Sequence, residues 1–440
     1  MFLQKLWVLY LPLLYLPDIA LGRSTSMGFL STADFLIGPY IILLGIALKF
    51  SPRQSRNPQA SQLRGPLLAF LIWALISTFM LEARFEYETS WQFTYGILKL
   101  AKLWLYVWAG LLTARVLARR GAYRYFYHAV AVAGMTLAIG ILATSSHGEA
   151  EKTLINFNSN NATGVVLAMM TAFILAEMTN RKLTHKQLIL GFFAAAVMLL
   201  GLMLSESRGG WISLLVAAGF LSWELESRHR RSVLWICIVS AFVLGYSQLP
   251  SFKELLDRTL WPDPMFLRAY GAGFAGFDDG GRLSLWISEG SKFFDAPLFG
   301  AGFFNRHANS GLLFTGSHNF WLQIFLETGL LGGTLVLLTF VRMWRHSGTA
   351  IARETRRGIS VRTVLVAALV GGMSGEYFYG GLAVFTLFAL YGNVGSLPRE
   401  ATRTKRSTLR SFFANTFAPT YRPSAYPPLS VRGATESHPG

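Results

Sequence analysis

Cysteine is all but absent: the 440-residue chain holds one, Cys237, inside an apolar run. A single thiol excludes an intrachain disulfide framework and a cysteine metal cluster. Charge is scarce as well. Only 14% of the residues are Asp, Glu, Lys or Arg, against roughly a quarter in soluble domains. Acidic residues are the scarcer half, 23 against 40 basic, for a formal net charge of +17. Apolar residues fill the gap, at 52% of the chain, and mean hydropathy is +0.40. The composition excludes a soluble globular domain and predicts an all-α polytopic membrane protein.

About 20 apolar residues make one crossing. Twelve such stretches are expected, at roughly 4–21, 33–50, 65–81, 93–117, 123–144, 161–180, 187–204, 210–225, 231–247, 319–341, 361–376 and 377–395. The last two are short and read equally as one span plus a re-entrant segment. Residues 1–21 carry Lys5 but no convincing small-residue cleavage site, so they read as a first span, not a removed signal peptide. With the N-terminus cytoplasmic, 28 Lys and Arg fall in inside loops and the tail and ten in outside loops. That asymmetry fixes the orientation. The basic excess is therefore topological, with a contribution to binding anionic lipid, and does not point to nucleic acid. The divisions expected are nine helices over 1–247, a long outside loop at 248–318, three more helices over 319–395, and a disordered basic cytoplasmic tail at 396–440 rich in Arg, Ser, Thr and Pro.

Polar residues gather on the outside. The loop at 248–318 has 71 residues, far longer than an ordinary connection. It contains GGRLSLWISEGSKFF (280–294), which suits a short helix lying on the membrane, with Arg282 at its N-terminal end. The turn-rich APLFGAGFF (296–304) follows. Before the eighth span comes SESRGGW (205–211), placing Glu206 and Arg208 at a helix mouth opened by two glycines. After the long loop comes SHNFWLQIFLETGLLGG (317–333), where His318, Asn319, Gln323 and Glu327 begin an otherwise apolar run. Lys99 and Lys102 lie three apart on one face of the fourth span. Embedded lysines are costly and face a cavity or a partner, so both are candidate anion contacts. Gly271-Ala272-Gly273-Phe274-Ala275-Gly276 fits G-x-G-x-x-G but follows no strand, which argues against a dinucleotide site.

These motifs, in this order around a long outer loop, resemble the O-antigen ligase/polymerase family of bacterial membrane glycosyltransferases. Three carry the resemblance: Ser207-Arg208-Gly209 opening a span; Arg282 with Trp286 leading to Pro297-Leu298-x-Gly300-x-Gly302; and His318-Asn319-x-x-Leu322-Gln323 with Glu327 and Gly329-Leu330-Leu331-Gly332. Asn160-Asn161 at the sixth span also fits. The resemblance covers about residues 155–340. It implies a GT-C-like helical fold of the inner membrane with a periplasmic active site. It implies a donor glycan on undecaprenyl diphosphate and an acceptor that is lipid A–core for a ligase or a second lipid-linked glycan for a polymerase. It implies essential roles for Arg208, Arg282 and His318, and no metal or cofactor.

The chemistry asks for the same residue types. A glycosyl phosphate bond breaks, so the charge of the leaving diphosphate must be held, which two Arg forks do through bidentate bonds. The acceptor hydroxyl is a poor nucleophile, and a neutral His takes its proton. Direct displacement inverts the anomeric centre. Arg208, Arg282, Asn319, Gln323, Lys99, Lys102 and Glu206 are thus expected to bind substrate, and His318 to be the base. The ligase reading leads, the polymerase is the alternative, and a lipid-linked-glycan transporter comes third, because the polar residues cluster on one face and no repeat is visible. Alkaline-phosphatase fusions test the orientation: activity is expected at 270 and none at 350, and the reverse would put Arg208 and His318 on the wrong side.

Overall fold

The computed structural model describes residues 6–16, 32–49, 58–82, 90–117, 122–145, 160–180, 183–205, 207–225, scattered residues between 227 and 243, 286–287, 290–291, 293–303, 319–352, 357–375 and 381–392. Every regular element among the described residues is helical. In chain order these are α1 (Leu6–Tyr10, continued as a 3-10 turn over Leu11–Tyr15), α2 (Thr32–Lys49), α3 (Pro58–Glu82), α4 (Ser90–Leu117), α5 (Ala122–Ser145), α6 (Asn160–Asn180), α7 (His185–Leu204), α8 (Arg208–Glu224), α9 (Phe320–Ala352), α10 (Arg357–Gly372) and α11 (Leu382–Tyr391). Six of them, α3 to α7 and α9, are long and apolar enough to cross a membrane. The remaining expected spans are shorter helices or, over 231–247, lie only partly within the described residues, all of which are helical there. Large apolar side chains such as Phe79, Phe193 and Trp223 stand outward, as a lipid-facing surface requires.

One end of the bundle is basic: Arg64, Arg115, Lys186, Arg345 and Arg357 lie at the ends of α3, α4, α7, α9 and α10. At this end α7 starts from a capping box, in which Thr184 accepts from Gln187 N and the Gln187 side chain reaches back. Arg362 pairs with Glu224 at 3.6 Å and lies over the Trp344 ring.

α9 is not one straight crossing. Gly329 has φ 66° and ψ −171° and breaks it. The limb 320–328 folds back along the limb that follows. The Trp321 and Phe340 rings meet edge to face at 5.2 Å, and a Cβ on Gly333 would collide with the Phe325 ring. The direction of the first limb follows from α3. Phe320 lines a cleft with Leu67, Phe70 and Phe340, whereas Trp73 Nε1 donates to Thr328 O at 2.9 Å and Ser77 Oγ to Glu327 O at 3.0 Å. From Phe70 to Ser77 is about 10 Å of helix rise. The short limb therefore starts deep and climbs away from the basic end, and the single span expected over 319–341 is a hairpin instead.

Breaking a helix in an apolar layer frees backbone groups that need partners. The segment 293–303 supplies them. Ala301 N donates to Leu326 O at 2.8 Å, Gly302 N to Glu327 O at 2.9 Å, and Leu330 N to Pro297 O at 2.8 Å. Ser77 Oγ also reaches Phe299 O at 2.6 Å, Phe303 N donates to Thr78 Oγ1 at 3.1 Å, and Phe299 stacks on Trp73. Gly300 (φ 76°) and Gly329 (φ 66°) stand face to face. A Cβ on Gly329 would strike the Leu298 carbonyl, and one on Gly300 the Glu327 carbonyl. Gly329→Ala should cost at least about 1–3 kcal/mol from its left-handed backbone alone. A lower thermal midpoint is expected in detergent, while Gly45→Ala, whose added Cβ meets nothing within 4 Å, should match the parent.

Candidate functional site

Small residues draw α6, α8 and α10 into one block. A Cβ on Gly164 would strike Ser207, one on Gly210 would lie 2.7 Å from the Gly164 backbone, and one on Gly371 would lie 2.6 Å from Val165. Glycine is needed there because backbones approach this closely. α8 begins with Ser207 as N-cap, its Oγ accepting from Gly210 N at 3.0 Å. Arg208 is the first helical residue and is half-buried. Gly209 packs on Ser374, just past the end of α10.

The start of α9 reaches the same place from the other side. Asn319 caps it, Oδ1 accepting from Trp321 N at 3.0 Å and Leu322 N at 3.2 Å. Trp321 Nε1 donates to Leu369 O at 3.0 Å and the indole covers Gly372. The C-terminal end of α10 and Ser374 just past it thus meet both the start of α8, at Gly209, and the start of α9, at Trp321. One turn along, Gln323 Nε2 donates to Glu327 Oε1 at 2.6 Å, and the two side chains are 4% and 1% exposed.

Helix N-termini collect in this layer. α8 starts at Arg208 and α11 at Leu382, both running toward the basic end, while α9 runs the other way from Phe320. The first turns of α9 and α11 line one cleft through Phe320 and Val384. Gly381, with φ 73°, opens α11 against the Tyr106 ring. Ser207 and Asn319 cap α8 and α9, and each N-terminus carries about half a positive charge, so the layer favours an anion.

The two lysines of α4 differ in their surroundings. Lys102 Nζ is paired with Asp34 Oδ2 at 2.6 Å, and Tyr106 donates to the other oxygen at 2.8 Å. Lys99 is 5% exposed and shares a helix face with Leu103, which lines the cleft beside Phe320 and Ile324.

Of the residues expected from sequence, Arg208, Asn319, Gln323, Lys99 and Lys102 are placed, the first two at helix starts that meet the C-terminal end of α10 through Gly209 and Trp321. His318, Arg282 and Glu206 lie outside the described residues. Sequence reasoning missed Asp34, the Ser374 contact and the bridging turn Gly371-Gly372. The run Gly371-Gly372-Met373-Ser374 is the signal that marks a close approach. Among the described residues no group of three His, Cys, Asp or Glu side chains could hold a metal ion.

The fold and site define a helical, multi-pass membrane protein with a recessed polar layer. Residues 193–337 match the family model described as O-Antigen ligase, which makes this segment O-antigen ligase-like and bears out the resemblance drawn from the motifs. No curated protein matches the chain.

The Asp34–Lys102 pair has a sharp test. Both side chains are 9% exposed, so removing one partner leaves a buried charge at a cost of about 3–5 kcal/mol. Lys102→Met alone should lower the thermal midpoint, and Lys102→Met with Asp34→Leu should restore most of it along with activity. A stable but inactive double variant would assign Lys102 to substrate.

Proposed function

We propose that the protein transfers a glycan from undecaprenyl diphosphate to a hydroxyl of a lipid A–core acceptor at the periplasmic face of the inner membrane, as an inverting, metal-independent O-antigen ligase. What supports the reading is that the O-antigen ligase-like segment brings the start of α8, at Gly209 beside Arg208, and the start of α9, at Trp321 beside Asn319, to the C-terminal end of α10. The leaving diphosphate gathers negative charge as the glycosidic bond breaks. Arg208, together with Arg282 from the long loop, holds it in bidentate bonds, and the N-termini of α8 and α9 add their dipoles. Lys99 contributes a further cation from α4.

His318 is the base. Peptide geometry keeps its Cα about 3.8 Å from that of Asn319, so the chain carries it to the cap of α9. As a neutral imidazole it takes the proton of the attacking hydroxyl while the anomeric carbon becomes oxocarbenium-like. Gln323 and Glu327, bonded to each other, support this side of the site, and Glu206 lies next to the α8 cap in the chain. The acceptor attacks opposite the diphosphate, which inverts the anomeric centre.

Purified protein with lipid-linked glycan and lipid A–core is the test. His318→Gln keeps a hydrogen-bonding group but accepts no proton in this pH range, and should lower turnover by roughly 10²–10⁴-fold with donor binding intact. In the parent the rate should fall as pH drops below about 6.5, because the base is then protonated. Near-normal turnover of the Gln variant would reduce His318 to positioning. In cells, loss of the protein should leave polymer on its lipid carrier and the core unmodified. A core bearing single repeat units would instead identify a polymerase.

A further inference from the structure

The basic end of the bundle carries a cation that the glycan chemistry leaves unused. Arg362, on the outward side of α10, lies 4.8 Å from the centre of the Trp344 ring. Its Nη1 is 3.6 Å from Glu224 Oε1, an ion pair too long for a hydrogen bond. Its Nε is buried with no hydrogen-bond partner. A guanidinium carries several N–H donors in one planar fork, so most of this fork is unbonded among the described residues. Phe220 of α8 meets Trp344 of α9 at 5.5 Å, and Gly348 lies against the guanidinium. The exposed Arg345 shares a helix face with Gly348, and Trp223, 85% exposed, shares one with Phe220.

We propose that this cluster binds the phosphate of an anionic glycerophospholipid from the adjoining leaflet, the cytoplasmic one by the charge asymmetry of the loops. Depth selects a lipid. Arg345 lies about 22 Å of helix rise from Leu330 at the seam, which puts the cluster near the far edge of a hydrocarbon core about 30 Å thick. An exposed Trp suits that level. Apolar residues continue inward from it: Val366 lies one turn from Arg362 on α10, and the exposed Val216 and Val341 lie inward of Trp223 and Arg345 on α8 and α9. An acyl chain therefore has an apolar path leading from the headgroup, which a soluble anion would not use. Charge selects the headgroup. Arg345 and Arg362 against Glu224 leave a net positive charge, and a phosphate accepts the guanidinium fork in bidentate bonds. A zwitterionic lipid brings a cation of its own to this cluster, whereas an anionic one brings only the attraction. At its other end α10 meets the starts of α8 and α9, so a lipid that ties α10 to α9 here braces the helix on which the polar layer is built.

The test is a lipid titration of delipidated full-length protein in detergent, read by native mass spectrometry, with phosphatidylglycerol and phosphatidylcholine of the same acyl chains. The parent should bind phosphatidylglycerol with an apparent Kd at least about 10-fold below that for phosphatidylcholine, and its thermal midpoint should rise with phosphatidylglycerol alone. Arg345→Gln, at an exposed position, should weaken phosphatidylglycerol several-fold and leave phosphatidylcholine unchanged. Arg362→Gln combined with Glu224→Gln, which strands no charge, should abolish the preference. Arg64→Gln on α3, also exposed at the basic end, should keep it. Equal Kd for the two lipids in the parent, or an equal loss in Arg64→Gln, would overturn the site and leave a diffuse basic surface. Inorganic phosphate binding as tightly as the phospholipid would make this a free-anion site and also overturn the proposal. None of these readouts uses glycosyl transfer, so failure here leaves the proposed reaction standing.

Discussion

A backbone amide in an apolar layer must find a protein partner, and the break at Gly329 makes that requirement acute. An unpaired buried N–H or C=O costs roughly 1–3 kcal/mol, and several are freed at once. Here the carbonyls of Leu326, Glu327 and Thr328 and the amide of Leu330 are taken up by Ala301, Gly302, Ser77, Trp73 and Pro297. α3, the segment 293–303 and the α9 hairpin therefore form one hydrogen-bonded unit. The site depends on it, because the hairpin sets the depth at which the Asn319 cap meets α10.

The same unit explains a motif. Pro297-Leu298-x-Gly300-x-Gly302 and Gly329-Leu330-Leu331-Gly332 read in the sequence as separate turn and helix signals. They are two halves of a seam in which Gly300 and Gly329 meet backbone to backbone. The Pro297 carbonyl and the Gly302 amide are hydrogen-bonding ends of that seam, and glycine is needed at 300 and 329 to let the two stretches of main chain touch.

Helix existence was legible because apolar run length decides it, and most span edges agree within a few residues. Direction within a span was not. Hydropathy is blind to a reversal inside one apolar run, and glycines at 329, 332 and 333 also suit an ordinary close-packed helix. The lysine pair was correctly placed on one face of α4, but Asp34, the partner of Lys102, lies on α2, beyond the reach of local spacing. Arg208 and Asn319 were expected to work together on motif grounds. The element that joins them, the last turn of α10, sat in the one region where span boundaries were ambiguous.

The reversal in α9 has a consequence for parity. Phe303 lies at the level of Thr78, toward the non-basic end of α3, and Phe320 at the level of Phe70. Phe320 is thus the deeper of the two, and the limb 320–328 climbs back before the long limb crosses. That return leaves the number of crossings odd or even as a plain helix would. Any method that senses only the side on which a loop emerges would read α9 as a plain crossing and miss the hairpin. Distance measurements across the layer, between α3 and the start of α9, are what would reveal it.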